Sequence, residues 1–300
     1  MAELASNTPN AFYLHATKKF LKATLTNQRF KQFVTYQEKL GEKKGIEAGW
    51  EIQGKLAVGS ALTEGVDIPV VNPSITRGTA LVEEYGAAIP FSNKLETLSQ
   101  LEIKQFFEDI LGINAAETMD KAAFDRIYSQ FKCVATASGA NAIAKDYDGT
   151  ITSGALALTK KHVLAISTEM REVNMPLKDG KYHAIGRPGA LVGLKGELET
   201  VVQNTESGYK RIVLGSVGSY DGVEFVEQTS VATGNDVYFM GDDFGIELNV
   251  LTPEIRMNVD LDFGRSKGIA WYAMCALAKT RDVEVGATSY EGGRGIKFVG

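Results

Sequence analysis

The segment LSQLEIKQFFEDILGINAAETMDKAAFDRIYSQF, residues Leu98 to Phe131, carries a helical pattern over its whole length. It holds no proline and one glycine, Gly112. Apolar residues recur in it at steps of three and four, which is typical of one face of an amphipathic helix. The members of this stripe are Leu98, Leu101, Phe106, Phe107, Ile110, Ile113, Ala116, Met119, Ala123, Ile127 and Phe131.

A single helix over this segment would be roughly 50 Å long. Gly112 weakens the middle of such a helix by up to about 1 kcal/mol relative to alanine. The pattern therefore predicts either one long helix with a bend at Gly112 or two helices joined there. The flanking segments decide whether it is an ordinary core helix or the spine of a larger body.

Length and composition are those of a folded, soluble protein. The chain has 300 residues, enough for one large or two ordinary domains. Its 44% hydrophobic and 23% charged residues are typical of globular chains. The net charge of −5 argues against a dedicated nucleic-acid-binding protein.

Charge is unevenly distributed along the chain. Residues 1–50 hold eight Lys or Arg against four Glu, a balance of +4, so the remainder carries −9. A helical pattern from Ala11 to Leu40 places apolar residues among these lysines. Such a basic amphipathic segment can lie on a membrane, a nucleic acid, a neighbouring protein or its own body.

Cysteine content and apolar runs exclude several classes of protein. Cys133 and Cys275 are too few for a disulfide framework or a cysteine-rich metal site, and both lie among apolar residues. We expect them to be buried as small hydrophobic side chains. Met1–Asn10 is polar with no apolar signal sequence after it, and the longest apolar run, Ile269–Ala278, is too short to span a bilayer. A soluble protein without a membrane partner is expected.

Residues 46–93 are predicted to form a hairpin with a long, irregular tip. One strand begins near Gly49, and a second runs from Ile75 to Tyr85 and on to Phe91. Between them lies VGSALTEGVDIPVVNPS (Val58–Ser74), which is rich in glycine and proline. Its aliphatic side chains need a partner surface, because a loose loop that exposes them is a liability. These side chains are Leu62, Val66, Ile68, Val70 and Val71.

The rest of the chain mixes helices and strands without strand–helix–strand repeats, so the predicted fold class is α+β. The predicted helices are Leu156–Val173, Gly189–Glu197, which Pro188 opens, and Leu198–Asn204. The predicted strands are Lys132–Ala137, Lys178–Ile185, Arg211–Leu214, Val223–Gln228, Asp236–Met240, Ile246–Val250, Glu254–Asp260 and Gly268–Lys279. Ser138–Ser153 is predicted as a connection, and the tail SYEGGRGIKFVG (Ser289–Gly300) as an extended edge or a flexible arm.

No constellation of residues for catalysis emerges. His15, His162 and His183 lie far apart without ligand spacing, so we expect surface or core histidines. GRPGALVGLKG (Gly186–Gly196) follows a strand but lacks the spacing of a dinucleotide-binding loop. DDFG (Asp242–Gly245) is similar to the metal-binding corner of protein kinases, yet without its partner motifs a turn between two strands is expected. No catalytic, cofactor-binding or metal-binding residue is assigned.

Taken in order, five segments of the chain resemble the major capsid proteins of tailed bacteriophages, which have the Hong Kong 97-type fold, and the podophage type in particular. LTEGVDIP (Leu62–Pro69) and EEYGAAIPFS (Glu83–Ser92) look like the extended loop of that family and its return strand. AIGRPGALVGLKGE (Ala184–Glu197) and RIVLGSVGSYDGVEFVE (Arg211–Glu227) resemble passages of its axial domain. KGIAWYAMCALAKTRD (Lys267–Asp282) is similar to the late strand that returns to its peripheral domain.

The resemblance implies four regions and a structural role. The regions are an N-terminal arm (1–45), an extended β-hairpin loop (46–93), a peripheral domain (94–155 and 251–300) with a spine helix (98–131), and an axial domain (156–250). Copies of the chain would assemble through pentamers and hexamers into an icosahedral shell around packaged double-stranded DNA. No cofactor is implied.

The resemblance also implies partners and interface residues. The partners are further copies of the chain, a portal, packaged DNA and a separate scaffolding protein, since Met1 lies close to the loop. The location is the virion capsid, with the host cytoplasm during assembly. The interface residues are the five aliphatic tip residues and, in an arm facing a neighbour or DNA, Lys18, Lys19, Lys22 and Arg29.

Two other interpretations stay open at this stage. One is an encapsulin-like compartment, which has the same fold but encloses an enzyme. The other is a metal-dependent α+β enzyme that uses the DDFG turn (Asp242–Gly245). For a curved shell, a bend of the long helix at Gly112 is expected.

Overall fold

A computed structural model describes most of the chain. The described residues are 29–34, 36–39, 45–54, 56, 58–99, 102–140, 142–154, 156–202, 218–229, 234–261, 265–282 and 289–300. Predictions for four residues and one strand lie outside these ranges. They concern His15, Lys18, Lys19 and Lys22, together with the strand predicted at Arg211–Leu214.

Helices and strands are mixed along the chain, as the α+β prediction requires. The helices are α1 (Phe30–Phe33), α2 (Asn93–Leu98), α3 (Ile103–Arg126), α4 (Lys160–Glu172) and α5 (Pro188–Val202), with a 3-10 turn at Tyr128–Gln130. The strands are β1 (Tyr36–Lys39), β2 (Glu47–Gln53), β3 (Ile75–Leu81), β4 (Glu83–Ser92), β5 (Val134–Ala137), β6 (Ile143–Asp146), β7 (Tyr182–Gly186), β8 (Ser219–Tyr220), β9 (Val223–Glu227), β10 (Val237–Met240), β11 (Gly245–Leu261), β12 (Ser266–Lys279) and β13 (Gly295–Val299).

One half of the described chain is built on a four-stranded sheet in the order β1-β11-β12-β4. β11 and β12 form a long antiparallel pair, and β4 adds to β12 antiparallel. Along much of β12, buried residues alternate with half-buried ones, which is the period-two pattern of a strand with one covered face. Ile269, Trp271 and Ala273 lie on the covered face and pack against α3. Helix and sheet therefore form two layers around one core.

The long helix is shorter than the sequence pattern predicts. α3 spans Ile103–Arg126, and the predicted start at Leu98 belongs instead to α2, which is capped at its first turn by the Ser92 hydroxyl accepting from the Leu95 amide. The Leu98 side chain is exposed, so it makes no apolar contact that would favour an earlier start of α3. At Gly112 the helix continues without a break, so the two-helix alternative is wrong.

The buried face of α3 is also rotated relative to the predicted stripe. The core side chains of this helix are Ile103, Phe107, Leu111, Ala115, Met119, Ala122 and Ala123, at steps that are mostly four. Ile110, which the predicted stripe included, is partly exposed. Both sets of residues have helical spacing, and only the position of the sheet determines which set is buried.

The other half is built on a seven-stranded sheet in the order β6-β5-β13-β10-β7-β9-β8. Its core contains the apolar faces of α4 and α5, among them Val163, Ile166 and Leu194, together with Phe239 and Phe298 from the sheet. Residues that alternate with these, such as Tyr238 and Met240, belong to a second cluster with the C-terminal end of α3. The sheet is thus covered on both faces and joins the two halves.

The C-terminal strand is neither an edge nor a flexible arm, so that prediction is wrong. β13 lies between β5, to which it is parallel, and β10, to which it is antiparallel. A Cβ added at Gly295 would lie 2.7 Å from the Phe239 carbonyl oxygen and 2.9 Å from the Phe131 ring. Glycine is therefore required there for close packing, although glycine-rich sequence is typical of mobile segments.

Two local predictions fail because a strand forms where a partner strand is near. Tyr36–Lys39 was predicted as helix but is β1, which pairs in parallel with Ile246–Asn249 of β11. Ser138–Ser153 was predicted as a connection but contains β6, paired antiparallel with β5. Neither segment shows a strong alternating pattern of its own, so pairing decides its conformation.

Two pairs of predicted elements merge into single ones. The helices predicted at Gly189–Glu197 and Leu198–Asn204 form one helix, α5, which begins at Pro188 as predicted. The strands predicted at Ile246–Val250 and Glu254–Asp260 form β11, which continues through register shifts against β12. Pro253 does not end the strand, because it lies on the edge of the sheet.

Candidate assembly surfaces

The root of the predicted hairpin is packed on the four-stranded sheet. β2 and β3 pair antiparallel from Glu47↔Leu81 to Gln53↔Ile75, which confirms the hairpin. Ala48 and Ala80 pack against β11 and β12, on the face of the sheet opposite to α3. The Trp50 indole N–H donates to the Thr280 carbonyl at 2.9 Å and fixes the hairpin to the body.

Beyond this root, the tip of the hairpin has no regular structure in its described residues. The Gly54 amide donates to the Ser74 carbonyl at 2.8 Å and closes the base of the tip. Near the centre, the Val66 amide donates to Thr63, and Gly65 has a φ of +80°, where glycine is favoured. The tip is therefore a long projection on a fixed base.

The five predicted tip residues lie on this projection with their side chains in solvent. Val70 is 92% exposed and Ile68 is 70% exposed, and Leu62, Val66 and Val71 are each more than half exposed. An aliphatic side chain gains about 1–2 kcal/mol when a partner covers it. No described residue of the chain covers these five, so any such gain depends on another molecule.

Sequence reasoning missed further exposed apolar residues in and beside the tip. Val58 is the first residue of the tip, and Ile46, Leu56, Ile75 and Leu81 lie at its base or near the hairpin root. Their position beside the irregular segment is the sequence signal that could have found them. The exposed apolar surface is larger than predicted, and surfaces of this kind are typical of contact sites.

The four-stranded sheet also presents two long edges. β4 pairs with β12 on one side, and no described strand pairs with its other side. On the opposite edge, β1 pairs only with Ile246–Asn249, so Leu251–Leu261 of β11 has no described partner on that side. An unpaired edge can receive a strand from another chain. The sequence alone could not identify these edges, because only the pairing order shows which strands lie outside.

Of the four predicted basic arm residues, the structure describes Arg29. It is half-buried and directly precedes α1, whose Phe30 packs on α3. The described part of the arm therefore begins beside the C-terminal half of α3. The structure gives no position for the other three, so their contact with a neighbour or DNA stays a prediction.

The two described histidines have structural positions. His162 lies in the first turn of α4, where its Nδ1 accepts from the Thr159 amide at 3.3 Å and its Nε2 lies 3.0 Å from the Gly139 carbonyl. His183 is buried in β7 against the Phe33 ring, and this burial lowers the pKa of its imidazole. Both are core histidines, as predicted.

The DDFG segment forms the predicted turn between β10 and β11. Phe244 is buried, and Asp243 has a φ of 53°, typical of a turn residue. Among the described residues, no three His, Cys, Asp or Glu side chains come together as a metal site.

Both cysteines are buried and free, as predicted. Burial raises the pKa of each thiol to about 12, with nearby acidic groups adding to the effect. Such thiols are poor nucleophiles.

In the part of the chain that the structure describes, no helix combines the length and apolarity needed to cross a bilayer.

Solved structures share this arrangement of elements. The capsid of Helicobacter pylori bacteriophage KHP30 matches with a TM-score of 0.70 and 11% identity, covering 98% of this chain and 96% of that chain. The capsid of cyanophage P-SCSP1u matches with a TM-score of 0.69 and 11% identity, covering 97% and 93%. The chain has the Hong Kong 97-type capsid fold.

The Hong Kong 97-type fold accounts for the architecture and confirms the predicted fold class. A third structure, from Mycobacterium phage Che8, covers 96% of this chain and 98% of its own, at 12% identity and a TM-score of 0.61. The sequence matches no protein-family profile and no curated protein. The likeness is therefore one of fold, and the function of this chain is argued separately.

Proposed function

We propose that this chain is a major capsid protein of a tailed bacteriophage. Its copies assemble through pentamers and hexamers into an icosahedral shell enclosing packaged double-stranded DNA. The observation that carries the proposal is the aliphatic tip, which projects from a fixed root with no cover from the described chain. A chain with a capsid fold and an uncovered apolar projection is suited to contact its own copies.

The proposed role is structural rather than catalytic. Its support is the capsid fold together with the local roles of the histidines, cysteines and DDFG turn described above. The proposal therefore needs no cofactor. It places the protein in the virion capsid, and in the host cytoplasm while shells assemble.

The proposed domain division keeps the predicted ranges except at three strands. The arm (1–45), the extended loop (46–93), the peripheral domain (94–155 and 251–300) and the axial domain (156–250) are proposed as before. β5, β6 and β13 hydrogen-bond within the seven-stranded sheet, although the predicted ranges place them in the peripheral domain. We therefore assign these three strands to the axial domain and keep α3, β11 and β12 in the peripheral domain.

The proposed partners beyond the chain itself are a separate scaffolding protein, a portal and packaged DNA. DNA contact would be non-specific and electrostatic, because the net charge of residues 1–50 is +4 while the remainder carries −9. Neutralising Lys18, Lys19 and Lys22 should then lower particle yield or DNA content while the fold is kept. Unchanged yield and DNA content would contradict this assignment.

Electron microscopy of the purified chain tests the main proposal. Closed icosahedral particles are expected, and purified phage particles should contain DNA. Particles of compartment size that enclose a protein and no DNA would instead support the encapsulin-like alternative. A monomeric protein that forms no particles under any assembly condition would contradict both.

A further inference from the structure

Residues 29–34 and β1, here called the strap, cross the C-terminal half of α3 and the edge of β11. Phe30 is 1% exposed and packs edge-on against Tyr128, with ring centroids 4.7 Å apart. Its ring also lies 5.1 Å from that of Phe124. The strap is thus seated on the body by a buried aromatic side chain.

Side chains of the body bind the backbone of the strap. The buried Asp120 carboxylate accepts from the amides of Phe30 at 2.9 Å and Lys31 at 3.2 Å, and from the Gln228 side chain at 2.8 Å. The Tyr128 hydroxyl donates to the Phe30 carbonyl at 3.0 Å. These side-chain hydrogen bonds fix the position of the strap along α3, and none of them is a hydrogen bond between strands.

A buried ion pair adds a charge to this contact. The Lys31 ammonium lies 2.8 Å from Oε1 of Glu247, whose side chain is 0% exposed. Among the described residues, no other cation is paired with Glu247. A buried carboxylate that loses its partner is strongly unfavourable. Lys31, a residue of the strap, therefore compensates the charge of this buried carboxylate.

The same strap covers part of a sheet edge. β1 pairs in parallel with β11 over four residues, Tyr36↔Ile246 to Lys39↔Asn249. Further along β11, Leu251–Leu261 has no described partner on that side. The covered part of the edge therefore depends on a short strand that follows the Phe30 and Lys31 contacts in the chain.

We propose that the strap is a detachable cover, clamped by the ion pair between Lys31 and Glu247. It opens as one unit, and while it is closed it prevents the Ile246–Asn249 edge from pairing with another chain. Opening lets water reach Glu247 and Asp120 together, so neither carboxylate stays buried without a partner. A short segment at the edge of a sheet is the kind of unit that opens below the global unfolding free energy. This inference concerns the free subunit and holds whether or not the chain forms shells.

Hydrogen exchange of the unassembled subunit tests the clamp. In Lys31→Met, the strap amides and those of Ile246–Asn249 that face β1 should exchange about tenfold faster or more. Amides shared by β11 and β12 beyond Leu251 should keep their rates. The matched control is Lys104→Met, because Lys104 pairs with Glu96 at 2.9 Å on the surface and contacts no part of the strap.

A double variant separates the charge from the packing. Lys31→Met with Glu247→Met removes both charges, and replacing a buried pair by apolar residues is often neutral or stabilising. Protection of the strap-facing amides should therefore return toward the wild-type value. Unchanged exchange in Lys31→Met, or no recovery in the double variant, would overturn the clamp.

A measurement on the wild-type chain covers the case in which a variant does not fold. In low denaturant, the strap amides and the strap-facing amides of Ile246–Asn249 should share one opening free energy, below that of the β11–β12 pair. If they exchange only with global unfolding, the strap is not a separate unit and the proposal fails.

Discussion

Two glycine-containing stretches of this chain, the hairpin tip (Val58–Ser74) and the tail (Ser289–Gly300), lie in opposite environments. The tip projects into solvent, while β13 of the tail is buried in the middle of the seven-stranded sheet. Gly65 of the tip has nothing within 4 Å of an added Cβ, whereas Gly295 of the tail would meet the Phe239 carbonyl oxygen at 2.7 Å. Glycine permits a turn in the first case and close packing in the second.

The difference teaches that local composition does not set the environment of a segment. The tail finds its partners, β5 and β10, within its own chain. The apolar side chains of the tip find no cover among the described residues. Changes in the tail should therefore affect the stability of the subunit, and changes in the tip should affect contacts between subunits.

Deleting Val58–Ser74 should give the largest effect on assembly. The deletion joins Ala57 to Ile75 and leaves β2, β3 and the Trp50 contact with Thr280 in place. Soluble subunits with a near-normal unfolding midpoint that form no closed shells in negative-stain micrographs are expected. Normal particles from this variant would show that the tip is not an assembly surface.

Phe298→Ala should give the largest effect on stability. Phe298 is fully buried in the core of the seven-stranded sheet, and truncating such a residue costs about 3–5 kcal/mol. Urea unfolding of the unassembled subunit measures the loss. The tip control is Ile68→Ala, which should change the unfolding free energy by less than about 0.5 kcal/mol. If both variants lost the same unfolding free energy, the expected difference in stability effect between tip and tail would be wrong.

Val70→Ser tests a single tip contact. Val70 is 92% exposed in the subunit, so the substitution should leave subunit stability unchanged. Losing one covered aliphatic contact of about 1–2 kcal/mol should raise the concentration needed for assembly several-fold. Light scattering across a concentration series measures this shift, with Thr63→Ser on the same tip as a polar control. An unshifted threshold for Val70→Ser would place Val70 outside the contact.

The reaction rate of the cysteine thiols gives the smallest and most local of the expected effects. Because the pKa of Cys133 is raised to about 12, its thiolate is scarce at pH 8 and becomes more abundant as pH rises toward that value. Native subunits should react with a disulfide reagent far more slowly than urea-unfolded ones. An added Cβ at Gly293 would lie 2.6 Å from Cys133 Sγ, so loosening the tail by Phe298→Ala should speed this reaction. Cys275 contacts the tail in none of the described clusters and serves as the internal reference.

Much of the tip could be predicted because its information is local. Gly54, Gly65 and the prolines mark an irregular segment, and the aliphatic residues between them are exposed. The same holds for α5, which begins at Pro188 as the sequence indicates. Local turn chemistry and side-chain type were sufficient for these features.

The tail, β1 and the buried face of α3 could not be predicted because their information is distant. Gly295 is explained by Phe131 and Phe239, which lie far away in the sequence. Tyr36–Lys39 becomes a strand only because the edge of β11 is free at that point. Helical spacing alone fits a stripe through Ile110 as well as the observed one through Leu111. The packing of α3 against Trp271 determines which stripe is buried.

The central position of β13 has a consequence for synthesis of the chain. β13 joins β5 to β10, and its contact between Val299 and Thr136 spans 163 residues of sequence. At translation rates of about 5–20 residues per second, β5 waits on the order of ten to thirty seconds for this partner. Until then the seven-stranded sheet exists only as two separate pieces. An interrupted polypeptide therefore lacks the strand that joins them, and only a chain translated as far as β13 can complete the sheet.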